Sequence, residues 1–176
     1  KDFIVAHPSA EVDSLAAAIV RGSFEYQGQK CSAASRLFIP SNLWPELKER
    51  LVAEVEGISV GDVSDLGNYM GAVIDAGSFR TQKDAIEEAR ASSDAEIVVG
   101  GDYDDSEGYF VRPTVIETTD PGFRTMRDEL FGPVVTAYVY PEGQYEDALD
   151  LVDGGAPYGL TGAVFARERD AIETAS

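Results

Sequence analysis

Short apolar segments alternate along this chain with segments of helical periodicity, and this alternation limits the possible folds more than any other feature. Six segments are strand-like: DFIVAH (Asp2–His7), SRLFIP (Ser35–Pro40), EIVVG (Glu96–Gly100), PTVIE (Pro113–Glu117), VVTAYVY (Val134–Tyr140) and LTGAVFA (Leu160–Ala166). Strands that alternate with helices form βαβ units, in which the strands run parallel and the helices cover the sheet. We therefore predict an α/β fold with a mainly parallel sheet and helices on both faces.

Four helices are predicted between these strands. The first covers about Ala10–Tyr26, with Glu11 and Asp13 where the positive helix start favours acidic groups, and Gly28 ends it. Ser41 is a candidate N-cap for the second helix. The other three helices follow the stripes Leu43, Leu47, Leu51 and Val55; Phe79, Gln82, Ile86 and Ala89; and Tyr145, Leu149 and Val152. The segment GDYDDSEGY is predicted to be an acidic loop.

The chain is strongly acidic, with 32 Asp and Glu residues against 14 Lys and Arg residues and a net charge of -18. Phosphate backbones and anionic lipids repel such a surface, since binding them requires clustered cations. No apolar run reaches the roughly 20 residues of a membrane span. We therefore expect neither a nucleic acid nor a membrane as a partner.

Cys31 is the only cysteine of the chain, and His7 is the only histidine. A single cysteine forms no internal disulfide, and a free thiol is typical of a reducing compartment. This predicts the cytoplasm, or the mitochondrial matrix in a eukaryote. One Cys and one His without clustered ligand spacing also argue against a metal site.

The 176 residues are enough for one compact unit with its own core. The sequence begins without Met in a strand-like run and ends in the helical pattern RDAIETAS. We expect it to be part of a longer protein.

The segment FEYQGQKCSAASR (Phe24–Arg36) contains the thiol, and Gly28 and Gln29 end the helix before it. A thiol with an ordinary pKa near ~8.5 is only a few per cent ionised at neutral pH, so a nucleophile needs a nearby cation or base. Lys30 supplies a positive charge, but the negative end of the preceding helix opposes a thiolate. From these residues alone, Cys31 is either a small apolar filler or a nucleophile.

The same segment resembles the active-site cysteine segment of the aldehyde dehydrogenase superfamily. It has an aromatic residue seven positions before the cysteine, a Gly-Gln pair, and small residues after the cysteine. A second segment, DELFGPVV (Asp128–Val135), resembles the family's Glu-hydrophobic-Phe-Gly-Pro-Val stretch and follows in the family's order. The opening KDFIVAHPSAEVD fits the strand and helix that follow the family's Gly-Gly-Lys, so the resemblance covers the whole chain.

Within that family, FEYQGQKCSAASR, LFIPSNLWPELKERL and YGLTGAVFA are most similar to the 1-pyrroline-5-carboxylate (L-glutamate γ-semialdehyde) dehydrogenases of proline degradation. The resemblance implies NAD-dependent oxidation of L-glutamate γ-semialdehyde to L-glutamate. The reaction is expected to pass through a thiohemiacetal and a thioester on the cysteine.

The resemblance also implies roles for four residues. Cys31 is the expected nucleophile, and its backbone N–H is the expected donor to the oxyanion. Ser32 either hydrogen-bonds the substrate oxygen or is a solvated turn hydroxyl. Glu129 is expected to hold both hydroxyls of the nicotinamide ribose of NAD, and Phe131 either packs near that ribose or is a buried core residue.

The family comparison further implies that residues 1–176 are the cysteine-bearing catalytic domain. The dinucleotide-binding domain, the general-base glutamate and the C-terminal tail are then expected outside these residues. We expect a homo-oligomer for the full-length protein, with a small-molecule aldehyde as substrate, and no turnover by these residues alone.

Three alternatives stay open on the sequence. One is a dehydrogenase of another aldehyde, such as succinate semialdehyde. Another is a cysteine hydrolase, for which His7 is the sole candidate base. The last is a non-catalytic domain with an inert thiol.

Overall fold

The structure, a computed structural model, describes residues 1–175 and is built around a six-stranded sheet. The strands of these residues are β1 (Phe3–Ala6), β2 (Arg36–Pro40), β3 (Ala95–Val99), β4 (Tyr103–Asp104), β5 (Phe110–Val111), β6 (Thr114–Thr118), β7 (Val134–Tyr140) and β8 (Gly162–Phe165). Strands β4 and β5 form a separate two-stranded sheet. The order in the sheet is β3-β6-β7-β2-β1-β8, and every neighbouring pair is parallel except β3 with β6. This confirms the predicted, mainly parallel sheet.

Six α-helices connect or flank the strands within the described residues. They are α1 (Val12–Phe24), α2 (Trp44–Glu56), α3 (Ala76–Ala91), α4 (Arg124–Arg127), α5 (Tyr145–Gly154) and α6 (Arg169–Thr174). A 3₁₀ turn, Glu25–Gly28, follows α1 directly. No helix within residues 1–175 is both long and apolar enough to cross a membrane.

Each face of the sheet has its own apolar core, because neighbouring residues of a strand point to opposite faces. Ile4 and Leu37 belong to the core under α1 and α2, which contains Leu15 and Leu47. Their strand neighbours belong to the other core, under α3 and α5, whose members include Val5, Phe38, Phe79, Ile86 and Ala148. Helices therefore cover both faces, as the sequence predicts.

The first predicted helix is real but shorter than expected. It starts at Val12, because Glu11 is its N-cap and its carboxylate accepts hydrogen bonds from the N–H groups of Asp13 and Ser14 at 3.0 and 2.8 Å. It ends at Phe24, since the next residues turn into the 3₁₀ segment.

The prediction that Ser41 caps the second helix is wrong. Leu43 occupies the cap position, and Pro45 lies in the first turn, where its missing N–H costs little. The Ser41 hydroxyl instead accepts a hydrogen bond from the N–H of Glu142 at 3.2 Å. Ser41 therefore ties the end of β2 to the loop after β7.

Two elements differ from the sequence interpretation. The acidic segment predicted as a loop, residues 101–109, contains β4, which forms an antiparallel hairpin with β5 just after the segment; Tyr103 pairs with Val111. The single turn of α4 was not predicted. The C-terminal helical pattern forms α6 up to Thr174, and Ser176 lies outside the described residues.

Candidate active site

The thiol loop, residues 25–34, presents its cysteine to solvent. Cys31 and Ser32 are exposed at the centre of a turn closed by a hydrogen bond of 3.1 Å from the Ala33 N–H to the Lys30 carbonyl. The next N–H, of Ala34, donates to the carbonyl of Gly22 in α1 at 3.0 Å. Cys31 is thus not a buried apolar filler, and its backbone N–H donates to no acceptor within residues 1–175.

The glutamate loop, residues 128–133, presents a carboxylate and an aromatic ring. The side chain of Glu129 is 33% exposed, and its Oε1 accepts one hydrogen bond, of 3.3 Å, from the Phe131 N–H. Phe131 is 45% exposed, so the alternative that it is a buried core residue is wrong. Leu130 between them is buried and anchors the loop in the core.

The two loops lie side by side at the amino ends of two central strands of the sheet. The thiol loop precedes β2 and the glutamate loop precedes β7, and these strands are parallel neighbours in which Arg36 pairs with Thr136. Two glycines lie close together there: a Cβ on Gly28 would lie 2.4 Å from the Gly132 carbonyl oxygen. Gly28, at a φ of +64°, is therefore required both by its conformation and by this approach.

Unusual backbone conformations occur in the same two loops. Within residues 1–175, the non-glycine residues with positive φ are Tyr26, Gln27 and Phe131, at 57°, 58° and 54°. A left-handed conformation of a residue with a bulky side chain costs about 1–3 kcal/mol and persists only where its surroundings enforce it. Such conformations cluster at functional sites.

Three glutamines hold the loops in place, and sequence reasoning assigned a site role to none of them. The Gln27 Nε2 donates to the Ala72 carbonyl at 3.1 Å, and the Gln29 Oε1 accepts from the Ile74 N–H at 2.8 Å. From the other side, the Gln82 Nε2 of α3 donates to the carbonyl of Leu130 at 2.7 Å. The one available signal was a polar residue, Gln82, in the core stripe of α3.

Two buried cations lie close to the carboxylate of Glu129. Lys1 and Arg36 are 4% and 3% exposed, and neither the Lys1 Nζ nor the Arg36 Nη1 has a hydrogen-bond partner within residues 1–175. Burial lowers the pKa of the Lys1 ammonium to about 8, and the negative charge of Glu129 opposes that shift. Burial also lowers the pKa of Arg36, against the charges of Asp2 and Glu129. The Glu129 carboxylate therefore lies near two buried, positively charged side chains.

His7 lies far from the thiol. It follows the carboxyl end of β1, whereas the thiol loop precedes the amino end of the neighbouring parallel strand β2. The length of the four-residue strand β1, about 13 Å, therefore lies between them. The His7 Nδ1 pairs with the Ser9 hydroxyl at 2.9 Å, and its ring packs edge-on against Tyr145. The structure therefore gives no support to a Cys31–His7 hydrolase.

A cleft of about 410 Å³ opens beside the thiol loop. Its lining residues are Glu25, Tyr26, Gln27, Lys30, Val63, Asp65, Leu66, Asn68, Tyr69, Met70 and Gly71. Its volume is in the range of small-molecule sites. A larger cavity, of about 660 Å³, lies at the β4–β5 hairpin, and neither of these two cavities is lined by Cys31 or Glu129. We place the candidate site at the two loops because the thiol and the carboxylate lie there.

Comparisons with known proteins identify related sequences. The chain is 49% identical over 175 residues to the mitochondrial delta-1-pyrroline-5-carboxylate dehydrogenase of Dictyostelium discoideum, which covers 99% of this chain and 31% of that protein. The human mitochondrial enzyme of the same name is 48% identical over 177 residues, covering 100% of this chain and 31% of that protein.

A solved structure has the same fold. The crystal structure of the delta-pyrroline-5-carboxylate dehydrogenase of Mycobacterium tuberculosis bound with NAD matches with a TM-score of 0.91 and 49% identity, over 99% of this chain and 31% of that one. The chain thus spans about a third of the length of these relatives. The sequence profile of the aldehyde dehydrogenase family matches residues 1–176. The chain therefore belongs to the aldehyde dehydrogenase family.

Proposed function

We propose that the full-length protein oxidises L-glutamate γ-semialdehyde, the open form of 1-pyrroline-5-carboxylate, to L-glutamate with NAD. The observation that supports this most directly is the contact between Gly28 and Gly132, because it joins the loop of an exposed thiol to the loop of an exposed carboxylate. We infer the substrate from two relatives, both of which are named delta-1-pyrroline-5-carboxylate dehydrogenase.

Cys31 is the nucleophile in this proposal. Its Sγ, as the thiolate, forms a bond to the aldehyde carbon, and the carbonyl π electrons move to the oxygen. After that carbon has lost a hydride, Cys31 holds a thioester. Water then adds to the thioester carbonyl, the C–S bond breaks, and the carboxylic acid leaves with the thiol restored.

The turn around Cys31 is suited to stabilise the oxyanion. The Cys31 N–H donates no hydrogen bond within the described part of the chain, so it is available to the developing negative charge. The exposed hydroxyl of Ser32 lies in the same turn and serves as a second donor to the substrate.

Glu129 and Phe131 fit the nicotinamide end of NAD. The Glu129 carboxylate accepts one long hydrogen bond from Phe131, so its oxygens have capacity for both hydroxyls of a ribose. The exposed ring of Phe131 provides an apolar surface next to it. When bound, NAD supplies the acceptor for the hydride. Residues 1–175 offer no comparable assignment for the adenosine end.

We also propose that residues 1–176 are the thiol-bearing catalytic domain. In this arrangement the dinucleotide-binding domain, the general-base glutamate and a C-terminal tail lie in chain outside these residues. The full-length protein is then a homo-oligomer in the cytoplasm, or in the mitochondrial matrix of a eukaryote. The net charge of -18 makes a nucleic acid or an anionic membrane an unfavourable partner.

An aldehyde panel tests the substrate. The full-length protein is assayed for NADH formation from glutamate semialdehyde, succinate semialdehyde and a simple aliphatic aldehyde. We expect kcat/KM to be at least about tenfold higher for glutamate semialdehyde, which corresponds to about 1.4 kcal/mol of transition-state binding. A higher value for succinate semialdehyde would favour the alternative substrate, and no NADH from any aldehyde would refute the proposal.

A further inference from the structure

Gln82 is a polar side chain enclosed in an apolar core. It lies in α3 between Phe79 and Ile86, and its exposed fraction is 0%. Its Oε1 has no hydrogen-bond partner within residues 1–175, although the residue is buried. An apolar residue at this position would avoid that cost, so the amide requires another reason.

The amide of Gln82 contacts the glutamate loop in two ways. Its Nε2 donates to the carbonyl of Leu130 at 2.7 Å, directly between the two residues proposed to bind the cofactor. A Cβ on Gly132 would lie 2.3 Å from the Gln82 amide carbon, so the amide also packs against the backbone of Gly132. Gln82 therefore fixes the loop at the turn where Phe131 takes its left-handed conformation.

Gly132 transmits this placement to the thiol. One side of Gly132 faces Gln82, and its carbonyl faces Gly28 of the thiol loop. Gln27 and Gln29 in turn hold residues 72–74, which lead into α3. Helix α3 therefore contacts the glutamate loop, the glutamate loop contacts the thiol loop, and the thiol loop contacts the residues just before α3.

We infer that Gln82 is a positioning residue for NAD: it holds the Leu130 carbonyl and so places the Glu129 carboxylate and the Phe131 ring relative to Cys31. This inference rests on the proposed function. Gln82 itself is buried and touches neither substrate nor cofactor. Its effect is therefore expected in cofactor affinity.

The test compares Gln82→Met with Ile86→Met in the full-length protein. Methionine keeps the length of Gln82 but cannot donate to Leu130, while Ile86 lies one turn further along the same core face. The affinity for NAD is measured by titration calorimetry, together with KM for NAD, kcat and the melting temperature. Should Gln82→Met not fold, Gln82→Asn replaces it, since asparagine keeps the amide but cannot reach the loop.

We expect Gln82→Met to weaken NAD binding about tenfold and to raise KM for NAD similarly, whereas Ile86→Met stays within about twofold at a comparable melting temperature. An unchanged affinity in folded Gln82→Met, with wild-type protein that binds NAD, overturns the inference alone. Equal losses in both variants also overturn it, because a general loss of packing then explains the effect. A wild-type protein that neither binds nor reduces NAD overturns the proposed function as well.

Discussion

Within residues 1–175, three large residues, Tyr26, Gln27 and Phe131, have left-handed backbone conformations that glycine adopts more readily. Their surroundings must offset the cost, and two contacts do so: Gln27 donates to Ala72, and Gln82 to the loop of Phe131. The result is that Phe131 points an apolar ring to solvent at the proposed cofactor site. Its conformation and its exposure are consistent with a binding role.

The buried lysine gives a prediction about pH. Burial lowers the pKa of Lys1 from 10.5 to about 8. Below pH 8 the folded protein therefore contains a poorly solvated ammonium, and a shift of this size corresponds to about 3 kcal/mol. Between pH 8 and 10.5 the unfolded chain binds a proton that the folded chain does not, so the contribution of Lys1 to stability rises with pH.

We therefore expect Lys1→Met to raise the melting temperature of the full-length protein at pH 7, with a smaller gain at pH 10. The measurement is thermal unfolding of wild type and variant at both values, in which only the difference between them is interpreted. An equal gain at both pH values would show that Lys1 is not the titrating group.

The roles of Cys31, Ser32, Glu129 and Phe131 were predicted only through a family resemblance. A lone cysteine and one acid among 32 have no pattern of their own, and neither periodicity nor composition separates them from their neighbours. Gln82 was visible as a polar member of the α3 stripe, but its partner Leu130 lies 48 residues away. Such long-range hydrogen bonds depend on tertiary packing, which local sequence does not determine.

At the scale of elements, the site depends on two loops that precede adjacent parallel strands. Open parallel sheets usually bind ligands at the carboxyl ends of their strands. Here the thiol loop and the glutamate loop both lie at the amino ends, before β2 and β7. The glycines of the two loops let the backbones approach closely, so the contact between Gly28 and Gly132 holds the two loops of the site together.

Replacing Gly28 by alanine tests the contact between Gly28 and Gly132. We expect a loss of about 1–3 kcal/mol of stability, because φ is +64° and the new Cβ would meet the Gly132 carbonyl. We also expect a large fall in dehydrogenase activity as the loops separate. Gly143→Ala is the matched control, since no heavy atom beyond the adjacent residues lies within 4 Å of a Cβ there. The readouts are urea unfolding and NADH formation, and equal behaviour of the two variants would contradict the role of this contact.

Element prediction succeeded where apolar patterns are long and failed where tertiary contacts decide. The strands of the large sheet and the helices α1, α2, α3 and α5 follow from periodicity. The hairpin of β4 and β5 has only two residues in each strand, within a segment rich in turn formers, so its pattern is too short to detect. Ser41 is a residue type that favours N-cap positions, but its hydroxyl accepts a hydrogen bond from the Glu142 N–H of a different loop.

At the scale of the whole molecule, the described fold is a six-stranded sheet with helices on both faces, and the chain spans about a third of the length of its relatives. In the proposed division into domains, the general base and the rest of the dinucleotide site lie outside it. We therefore expect residues 1–176, produced alone, to form no detectable NADH from glutamate semialdehyde. The full-length protein at the same concentration is the control, and turnover by the isolated residues would refute the proposed division into domains.

In the proposed mechanism, the exposed thiol of Cys31 attacks the aldehyde while the glutamate loop binds the cofactor. The most direct measurement is NADH formation by full-length Cys31→Ser, with NAD affinity determined by calorimetry on the same sample. We predict that the rate falls by at least about a thousandfold, since a serine hydroxyl is a far weaker nucleophile at neutral pH, while the affinity for NAD stays within about twofold. A variant that retains a substantial share of the wild-type rate would contradict the role of Cys31 as the nucleophile.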